Sequence, residues 1–270
     1  MGNQIRKGIC RTVFFSFIIL ICSVKALSSQ ANLWSIEAGD SRPLLVLNQE
    51  LQLIPKKISL TTAHYQLEIR YPQIIGSSKI PAANDFNRLV NHFINTKVIK
   101  FKHDLSQAGP NNHTNSLKIN YELAGFVSES QNTEYISIRF TIESFKNGMA
   151  HPDRQTEVTN YNLKANRSLA LSDLFSSNSG YLETISKNCI KQLQAKHLPN
   201  EMIKSGAESK QDNYNNWNLT LSGLLITFEE GQVAPRYYGI QQILIPYSSL
   251  NAIFTHKTAC TLGVINCDIT

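Results

Sequence analysis

The chain has 270 residues, enough for one large or two small domains with buried cores. Of its 26 basic and 20 acidic side chains, four basic and no acidic ones lie in residues 1–31, which leaves 22 basic against 20 acidic ones, or +2, in the rest. So small a surplus gives no basic stripe for a phosphate backbone, which argues against nucleic acid as a partner and against charge attraction to a membrane.

Residues 1–31 have the pattern of a cleavable secretory signal peptide. Basic residues precede an apolar run of 13 residues at positions 12–24. As a helix that run would span roughly 20 Å, which is short of the ~30 Å of a bilayer core. Small residues allow cleavage after Ala26 or after Ala31. We therefore predict export to the periplasm or the extracellular space, with no transmembrane anchor after cleavage; an uncleaved anchor is the alternative.

Residues 32–57 are predicted as a lead-in segment with two short apolar runs, the second at residues 51–54, that are strands or packing arms. Residues 59–71 alternate between apolar and polar, as a half-buried strand requires. Because proline cannot donate to a ladder, we expect the earlier run to end at Pro55 and the strand to end at Pro72.

Pro81 is predicted to open an amphipathic helix near residues 84–105. Apolar side chains, together with the stem of Lys97, recur every three or four residues along it. These residues are Phe86, Leu89, Val90, Phe93, Val98, Phe101 and Leu105. A polar loop follows at residues 108–116.

Three alternating runs come next, at residues 117–127, 135–145 and 156–163, with short polar connectors between them. This pattern predicts an antiparallel meander. A strand, a helix and a meander together predict a two-layer arrangement in which the helix covers the apolar face of the sheet.

A second amphipathic helix is predicted at residues 180–197, with Leu182, Ile185, Cys189 and Leu193 on its inner face. A short helix within residues 201–216 is an open possibility. The remaining predicted elements are strands at residues 217–221, 224–228 and 240–246 and a short terminal helix at residues 247–254.

Three cysteines remain beyond the predicted signal peptide. Cys260 and Cys267 lie close together in a tail without helical periodicity, and since an exported protein can form disulfides we predict a bond between them. Cys189 is interpreted as a buried small hydrophobic residue. No C-x-x-C motif or neighbouring histidine pair accompanies them, so neither a metal site nor a cofactor is predicted.

Short motifs in the second half of the chain resemble those of a known family. They are GMAH at residues 148–151, NYNL at 160–163, LSDLF at 171–175, GLLITF at 223–228, VAP at 233–235 and IPYSSL at 245–250. Together they are similar to the pattern of the extracytoplasmic domains shared by the lysozyme-sensing anti-sigma factor RsiV and the peptidoglycan deacetylase PdaC. The resemblance covers about residues 58–254, with the specific motifs after residue 147.

The resemblance implies an α+β fold of antiparallel sheets, each covered by an amphipathic helix, in two packed subdomains. The expected division is a signal peptide at 1–31, a lead-in at 32–57, a PdaC-like subdomain at 58–147, an RsiV-like C-terminal domain at 148–256 and a tail with the disulfide at 257–270. Neither a sigma-binding segment nor a metal-dependent deacetylase domain is recognisable. The expectation is therefore the sensing or binding module alone, exported.

Two departures from the family pattern affect turns. Met149 replaces the second glycine of GGAH, so we expect one fewer residue with positive φ at this corner. Residues 164–166 replace a glycine-bearing turn, and Asn166 is the natural residue there for the left-handed conformation.

No catalytic residue is assigned. His151 and Asp153 are the only acid–base pair close in sequence, on a corner between strands, where His151 either orients a ligand or, as is more common, pins the corner through a backbone carbonyl. Asp173 precedes a helix and is interpreted as a capping residue. The sequence contains no G-x-S-x-G, H-E-x-x-H or phosphate-loop motif.

Within the glycine-bounded segment 231–239, the loop at residues 233–239 is the preferred binding site. Between two glycines it holds Pro235, Arg236, Tyr237 and Tyr238, which suit a protein interface because such side chains give a large contact area at small entropic cost. The alternative is that a tyrosine folds back onto the sheet.

Three functions are weighed. The first is a non-catalytic module that engages a protein ligand, and the resemblance implies a lysozyme-type muramidase; local attraction to such a cationic partner would come from Glu229 and Glu230. The second is a peptidoglycan-binding module of the cell envelope, which exposed Trp34, Trp217 or tyrosines would favour. A cell-wall hydrolase or deacetylase is the least favoured, since no nucleophile or metal ligand set is found.

Overall fold

The computed structural model describes residues 44–76, 80–107, 115–129 and 132–267, without the side chains of residues 127–129 and 132–133. The predicted signal peptide, the first part of the lead-in, and most of the loop predicted at residues 108–116 lie outside the described residues. The described residues all belong to one compact unit, Trp34–Thr270. None of the helices described is long and apolar enough to cross a membrane.

Alternating sequences build a seven-stranded sheet whose spatial order follows the chain. Its strands are β1 (Leu45–Val46), β2 (Leu51–Thr61), β3 (Tyr65–Gly76), β4 (Asn115–Glu129), β5 (Asn132–Phe145), β6 (Asp153–Asn162) and β7 (Arg167–Ser168). Neighbouring strands are antiparallel except β3 and β4. Helix α1 (Pro81–Gln107) supplies the crossover that this parallel pair requires. The predicted meander is confirmed as β4, β5 and β6, so the proposed domain boundary after residue 147 falls between two paired strands of one sheet.

The single strand predicted at residues 59–71 is wrong, because the chain reverses in the middle of it. β2 and β3 form a hairpin around residues 62–64, where the hydroxyl of Thr62 accepts hydrogen bonds from the backbone N–H groups of His64 and Tyr65. This turn contains neither glycine nor proline, so composition offers no sign of it.

Pro55 and Pro72 do not end strands, contrary to the prediction. They lie directly opposite each other in the hairpin, at a pair where neither strand needs to donate to the other. On its other side β3 pairs with β4 only as far as Ile69 opposite Ile119. Pro72 therefore lies beyond the parallel ladder that it would interrupt.

Helix α1 packs on one face of the large sheet and closes the first hydrophobic core. Its buried residues are Ala82, Ala83, Phe86, Val90, Ile94 and Phe101. Ile94 was not among the predicted core positions. The ammonium group of Lys97 lies 5.7 Å from the centre of the Phe93 ring and forms an ion pair with Glu157 of β6, which ties the helix to the last strand of the meander.

A second, three-stranded antiparallel sheet has the order β10–β9–β8. Its strands are β8 (Trp217–Leu219), β9 (Gly223–Phe228) and β10 (Gln241–Pro246). Helix α2 (Tyr181–Ala195) covers this sheet with Ile185, Cys189 and Leu193, all fully buried as predicted, and a short helix α3 (Asn200–Gly206) follows it. The predicted α+β class is confirmed. One hydrophobic core lies between the large sheet and α1, and the other lies between the small sheet and α2.

Small polar groups on the other face of the large sheet meet β8. Ser137 of β5 donates to Oδ1 of Asn160 at 2.5 Å and accepts from Nδ2 of Asn218 at 2.9 Å and from the backbone N–H of Leu219 at 3.0 Å. Gly125 of β4 lies so close that a Cβ atom there would be 2.4 Å from the backbone oxygen of Leu219. The two sheets are thus joined through a buried polar layer.

The C-terminal part departs from the prediction in two places. Two 3-10 turns, Tyr247–Ser249 and Asn251–Ile253, replace the helix predicted at residues 247–254. They let Phe254 form a bridge with Phe175. A short helix α4 (His256–Thr261) lies in the tail that was predicted to be non-helical. Six residues are too few to show a helical period.

Several local predictions are confirmed. Cys260 and Cys267 form the predicted disulfide, with Cα atoms 5.6 Å apart. Cys189 is free and buried, and burial raises the pKa of its thiol. Asn166 takes the left-handed conformation with φ of 51°, while at the corner before β6 only Gly148 has a positive φ, at 88°.

Candidate functional site

The segment between β9 and β10 presents two aromatic rings to solvent. Val233 and Ala234 are buried in the core of the small sheet and fix the start of the loop. After Pro235 the chain makes a 3-10 turn, Arg236–Tyr238, whose three side chains are exposed. Tyr237 is 82% exposed and Tyr238 is 44% exposed, so neither ring folds back onto the sheet.

The two tyrosine rings form one surface. Their centroids are 4.5 Å apart and their planes are inclined by 33°. Hydrogen bonding between the two hydroxyl groups raises the pKa of Tyr237. The pair therefore offers a broad apolar area with hydroxyl groups at its edge, which suits a partner that buries the rings and satisfies the hydroxyls.

Hydrogen bonds from two glutamine side chains fix the backbone of the loop. The side-chain amide of Gln232 donates to the backbone oxygens of Gly206 at 3.0 Å and of Asn213 at 3.1 Å. On the far side, the amide of Gln241 donates to the backbone oxygen of Tyr238 at 2.8 Å. A Cβ atom on Gly206 would lie 2.0 Å from the backbone oxygen of Gln232, so only glycine allows this approach. The rings thus stand on a fixed backbone.

Glycines shape both ends of the loop. Gly231 has a φ of 85° and Gly239 has a φ of 68°, a region that other residues rarely adopt. These positive φ angles let the chain leave β9 and return into β10 within a few residues. The sequence could indicate this much, since both glycines are visible in it. The anchoring by Gln232 could not be foreseen, because its partners are distant in the chain.

Glu229, at the base of the loop, points its carboxylate inward. One oxygen, Oε1, accepts from the backbone N–H of Thr156 on β6 and from Nδ2 of Asn216, each at 2.8 Å. Burial raises the pKa of this carboxyl, and the hydrogen bond from Thr156 opposes that shift. Glu229 thus joins β6 to the segment that leads into β8, and its charge is directed into the protein.

His151 and Asp153 lie at the corner before β6 and do not form a paired site. The exposed ring of His151 is 3.1 Å from the backbone oxygen of Pro152, the contact expected of a residue that pins a corner. Asp153 accepts from the side-chain amide of Gln155 at 3.0 Å. Within the described part of the chain, no hydrogen bond or ion pair joins either residue to residues 231–239, the tyrosine loop.

Asp173 caps the 3-10 turn in which it lies, and not the helix α2 that follows it in the chain. Its Oδ2 accepts from Arg167 at 2.6 Å and from the backbone N–H of Ala170 at 2.8 Å. The hydrogen bond from Arg167 is the largest cause that lowers the pKa of this carboxyl. Both contacts hold the 3-10 turn Leu171–Leu174 and leave the carboxylate no catalytic partner among the described residues.

Three potential metal ligands come together in the tail. His256, Cys260 and Cys267 have ligand atoms within 4.8 Å of one another. The two cysteines are bonded to each other, however, and Nε2 of His256 is 3.6 Å from Sγ of Cys260. Because cysteine binds a metal ion as a thiolate, the two cysteines of this disulfide cannot serve as ligands while they are oxidised.

Trp217, one of the aromatic residues considered for glycan binding, is buried in the second core. Only 4% of its surface is exposed, so it offers no ring to a glycan. Trp34 lies outside the described residues. The exposed aromatic surface described here is therefore that of Tyr237 and Tyr238.

Residues 172–248 match the profile of a family described as "Protein of unknown function (DUF3298)". The matched segment contains α2, α3, the whole small sheet and the tyrosine loop. A search of curated proteins gave no match.

Two solved structures have a similar fold. One is a member of the DUF3298 family from Bacteroides fragilis NCTC 9343, with 17% sequence identity and a TM-score of 0.58 over 80% of this chain and 98% of that one. The other is a DUF3298 family protein from Pseudomonas aeruginosa PAO1, with 12% identity and a TM-score of 0.52 over 76% of this chain and 96% of that one. At these identities the likeness concerns the fold. The resemblance to RsiV and PdaC stays a prediction.

Proposed function

We propose that the protein is an exported, non-catalytic binding module whose contact surface is the loop Pro235, Arg236, Tyr237 and Tyr238. The observation that carries this proposal is the pair of exposed rings on a backbone fixed at both ends. Tyrosine and arginine are enriched among residues that dominate binding energy at protein interfaces. A fixed loop also loses little conformational entropy on binding, so more of the contact energy appears as affinity.

The ligand we propose is a protein of the lysozyme type. This choice rests on the motif resemblance to the RsiV and PdaC domains, and the loop lies among those motifs. Charge does not support it strongly, since Arg236 is on the loop and Lys196 binds beside it at Gln241. We therefore expect an interaction carried by the two rings, with a weak dependence on salt.

The test is a binding measurement between the purified protein and a lysozyme-type muramidase at low and physiological salt. We expect Tyr237→Ala to weaken binding by about 2 kcal/mol, or roughly 30-fold, because the ring is a central contact. Its thermal stability should stay that of the parent protein, since the ring packs on little besides Tyr238. Ile99→Ala on α1 is the matched control, because that side chain is also exposed but lies on a different element.

Absence of binding at low salt would reject the lysozyme-type ligand. Equal affinity of the parent and Tyr237→Ala would reject the loop as the contact surface. Sedimentation with purified sacculi covers the alternative function, and co-sedimentation without lysozyme binding would favour a peptidoglycan-binding module.

A further inference from the structure

Helix α4 and the turn that follows it bring three soft metal-ligand side chains to one place. His256 and Cys260 are four residues apart on the helix, so they lie on the same face of it. Cys267 reaches Cys260 from the far side of the turn. The ligand atoms of the three residues all lie within 4.8 Å of one another. A single ion among them is within reach of all three.

The spacing of the first two ligand atoms is already that of a zinc site. Nε2 of His256 is 3.6 Å from Sγ of Cys260. Zinc bonds of about 2.0 Å to nitrogen and about 2.3 Å to sulfur, at a tetrahedral angle, hold the two ligand atoms about 3.5 Å apart. The helix therefore places these two atoms for zinc without any movement of the backbone.

The backbone after α4 holds Cys267 near the helix independently of the disulfide. Gly263 ends the helix with a φ of 66°, and its N–H donates to the oxygen of Cys260 at 2.9 Å. The N–H of Val264 donates to the oxygen of Ala259, also at 2.9 Å, and the side chain of Val264 packs against the core of the small sheet. Because these contacts do not involve sulfur, we expect the turn to persist when the sulfur–sulfur bond is broken.

Helix α4 is itself fixed to the rest of the protein. Oγ1 of Thr255 accepts from the backbone N–H of Thr258 at 3.0 Å and caps the helix. Thr258 and Ala259 are buried. Nζ of Lys257 lies 3.6 Å from the carboxylate of Glu134, a buried residue of β5. The ligands thus stand on a rigid element, as a preorganised metal site requires.

The disulfide lies where a reductant can reach it. His256 is exposed and neither of the bonded cysteines is buried. Exposed disulfides are typically the labile or regulatory ones, whereas structural disulfides resist reduction. The two cysteines are only seven residues apart, so their bond constrains the unfolded chain less than a long-range disulfide would. The fold therefore depends little on this bond.

We propose that reduction of the disulfide opens a Zn²⁺ site whose protein ligands are His256, Cys260 and Cys267. A dithiol of the thioredoxin type gives two electrons and two protons to the disulfide and leaves as a disulfide itself, which produces two cysteine thiols. Zn²⁺ then displaces the two thiol protons and bonds to both sulfur atoms and to Nε2 of His256. Two thiolates and an imidazole are ligands that zinc favours, and a set of three leaves its fourth position to water.

Zinc binding and reduction favour each other, because only the dithiol form supplies the ligands. By mass action, free Zn²⁺ at 100 times its Kd should shift the equilibrium between disulfide and dithiol about 100-fold towards the dithiol. The end of the chain thus exchanges a covalent bond for a metal ion according to the redox conditions around it.

The test is Zn²⁺ binding by the purified protein, measured by calorimetry before and after reduction with a phosphine. We expect one ion per monomer of the reduced protein, and binding to the oxidised protein that is weaker by about 100-fold or more. His256→Ala should weaken binding to the reduced protein by roughly tenfold or more, since even the loss of a group that only supports a ligand has that effect. His92→Ala is the matched control, because it removes the same side chain from an exposed position on α1.

Cobalt in place of zinc identifies the sulfur ligands. Reduced protein with Co²⁺ should show thiolate-to-cobalt charge-transfer absorption, and Cys267→Ser should lower its intensity by about half because one of two thiolates is lost. Thermal unfolding of the reduced, metal-free protein shows whether the fold persists without the bond.

Equal zinc affinity of the oxidised and reduced protein, or of the parent and His256→Ala, would overturn the proposal. One ion for every two chains, with dimer formation, would overturn it in favour of a metal shared between copies. Loss of the folded state on reduction alone would overturn it too, because the site requires the turn after α4 to persist.

Discussion

Glu229 is a half-buried carboxylate whose hydrogen bonds are directed into the protein. One of its two oxygens accepts hydrogen bonds from Thr156 and Asn216, which belong to different parts of the chain. From the sequence FEEGQ it reads as an exposed acid beside a turn. The inward orientation follows from the position of β6, which no local pattern near Glu229 reports.

The pH dependence of Glu229 has a definite sign. Its pKa is raised in the folded state, so the folded protein binds a proton more tightly than the unfolded chain does there. This group therefore contributes most at low pH, and its contribution is lost as the pH rises from the ordinary carboxyl pKa through the raised one.

Glu229→Gln should keep both hydrogen bonds, because an amide oxygen can accept from both donors, and it removes the buried charge. We expect the free energy of unfolding to rise by roughly 0.5 kcal/mol at pH 7, a small value since water reaches about half of the group, and the gain to vanish in acid. Urea unfolding at several pH values measures this. A gain that grows as the pH falls would contradict the assignment.

At the scale of single elements, α1 supplies hydrogen-bond partners to backbone groups of the large sheet that have no neighbouring strand. β3 leaves β4 after Ile69, which would orphan the backbone of its last residues. The side-chain amide of Asn87 on α1 accepts from the N–H of Ile74 and donates to its C=O, both at 2.8 Å. The helix thus replaces the missing strand at this point.

Asn87→Ala should lower the free energy of unfolding by about 1–3 kcal/mol, because it leaves both groups of Ile74 without partners. Asn95→Ala is the control, since Asn95 is exposed on the same helix and its replacement should be neutral or slightly stabilising through helix propensity. Thermal or urea unfolding distinguishes them, and equal effects of the two would show that the contact contributes nothing.

Gly125 sets the approach of β8 to the large sheet. A methyl group there would meet backbone atoms of Leu219 and Thr220, which cannot rotate away. We expect Gly125→Ala to cost about 3 kcal/mol or more, by overpacking the contact. Gly148→Ala provides the comparison, since its Cβ would meet nothing within 4 Å and the cost is the left-handed strain alone, about 1 kcal/mol. A larger loss in Gly148→Ala would reject this account of Gly125.

At the scale of the whole molecule, the two cores are joined by a polar layer centred on Ser137. Its hydroxyl connects Asn160 of β6 with Asn218 and Leu219 of β8, and all of these residues are buried. Asn160 in turn donates to the backbone oxygen of Trp217 at 2.8 Å. Nδ2 of Asn218 also donates to the backbone oxygen of Ile138 at 3.2 Å, while Oδ1 of Asn218 has no hydrogen-bond partner among the described residues. The bonds that are made favour one relative placement of the sheets.

Ser137→Ala should lower the free energy of unfolding by about 2–3 kcal/mol, because three buried polar groups lose their common partner. Thr141→Ala tests the specificity of this effect. Thr141 lies on the same strand and the same face but is exposed, so its replacement should cost at most ~1 kcal/mol. Urea unfolding followed by tryptophan fluorescence compares the two, and similar losses would mean that the network does not stabilise the contact.

Local patterns determined much of this protein. Period-two alternation placed β4, β5 and β6, helical spacing placed α1 and α2, and the two glycines marked the exposed loop of Tyr237 and Tyr238. These features follow from residues near one another in the chain, whose side chains must share a face. The disulfide between Cys260 and Cys267 belongs with them, since its loop is short.

Only the tertiary structure decided the rest. The hairpin reversal at Thr62, the opposed prolines, the hydrogen bonds of Asn87, and the polar layer around Ser137 all depend on partners far away in sequence. The inward carboxylate of Glu229 is of the same kind. The residue type of a polar side chain does not show whether that side chain contacts water or a buried hydrogen-bond donor. Only the packing of the two sheets distinguishes these cases.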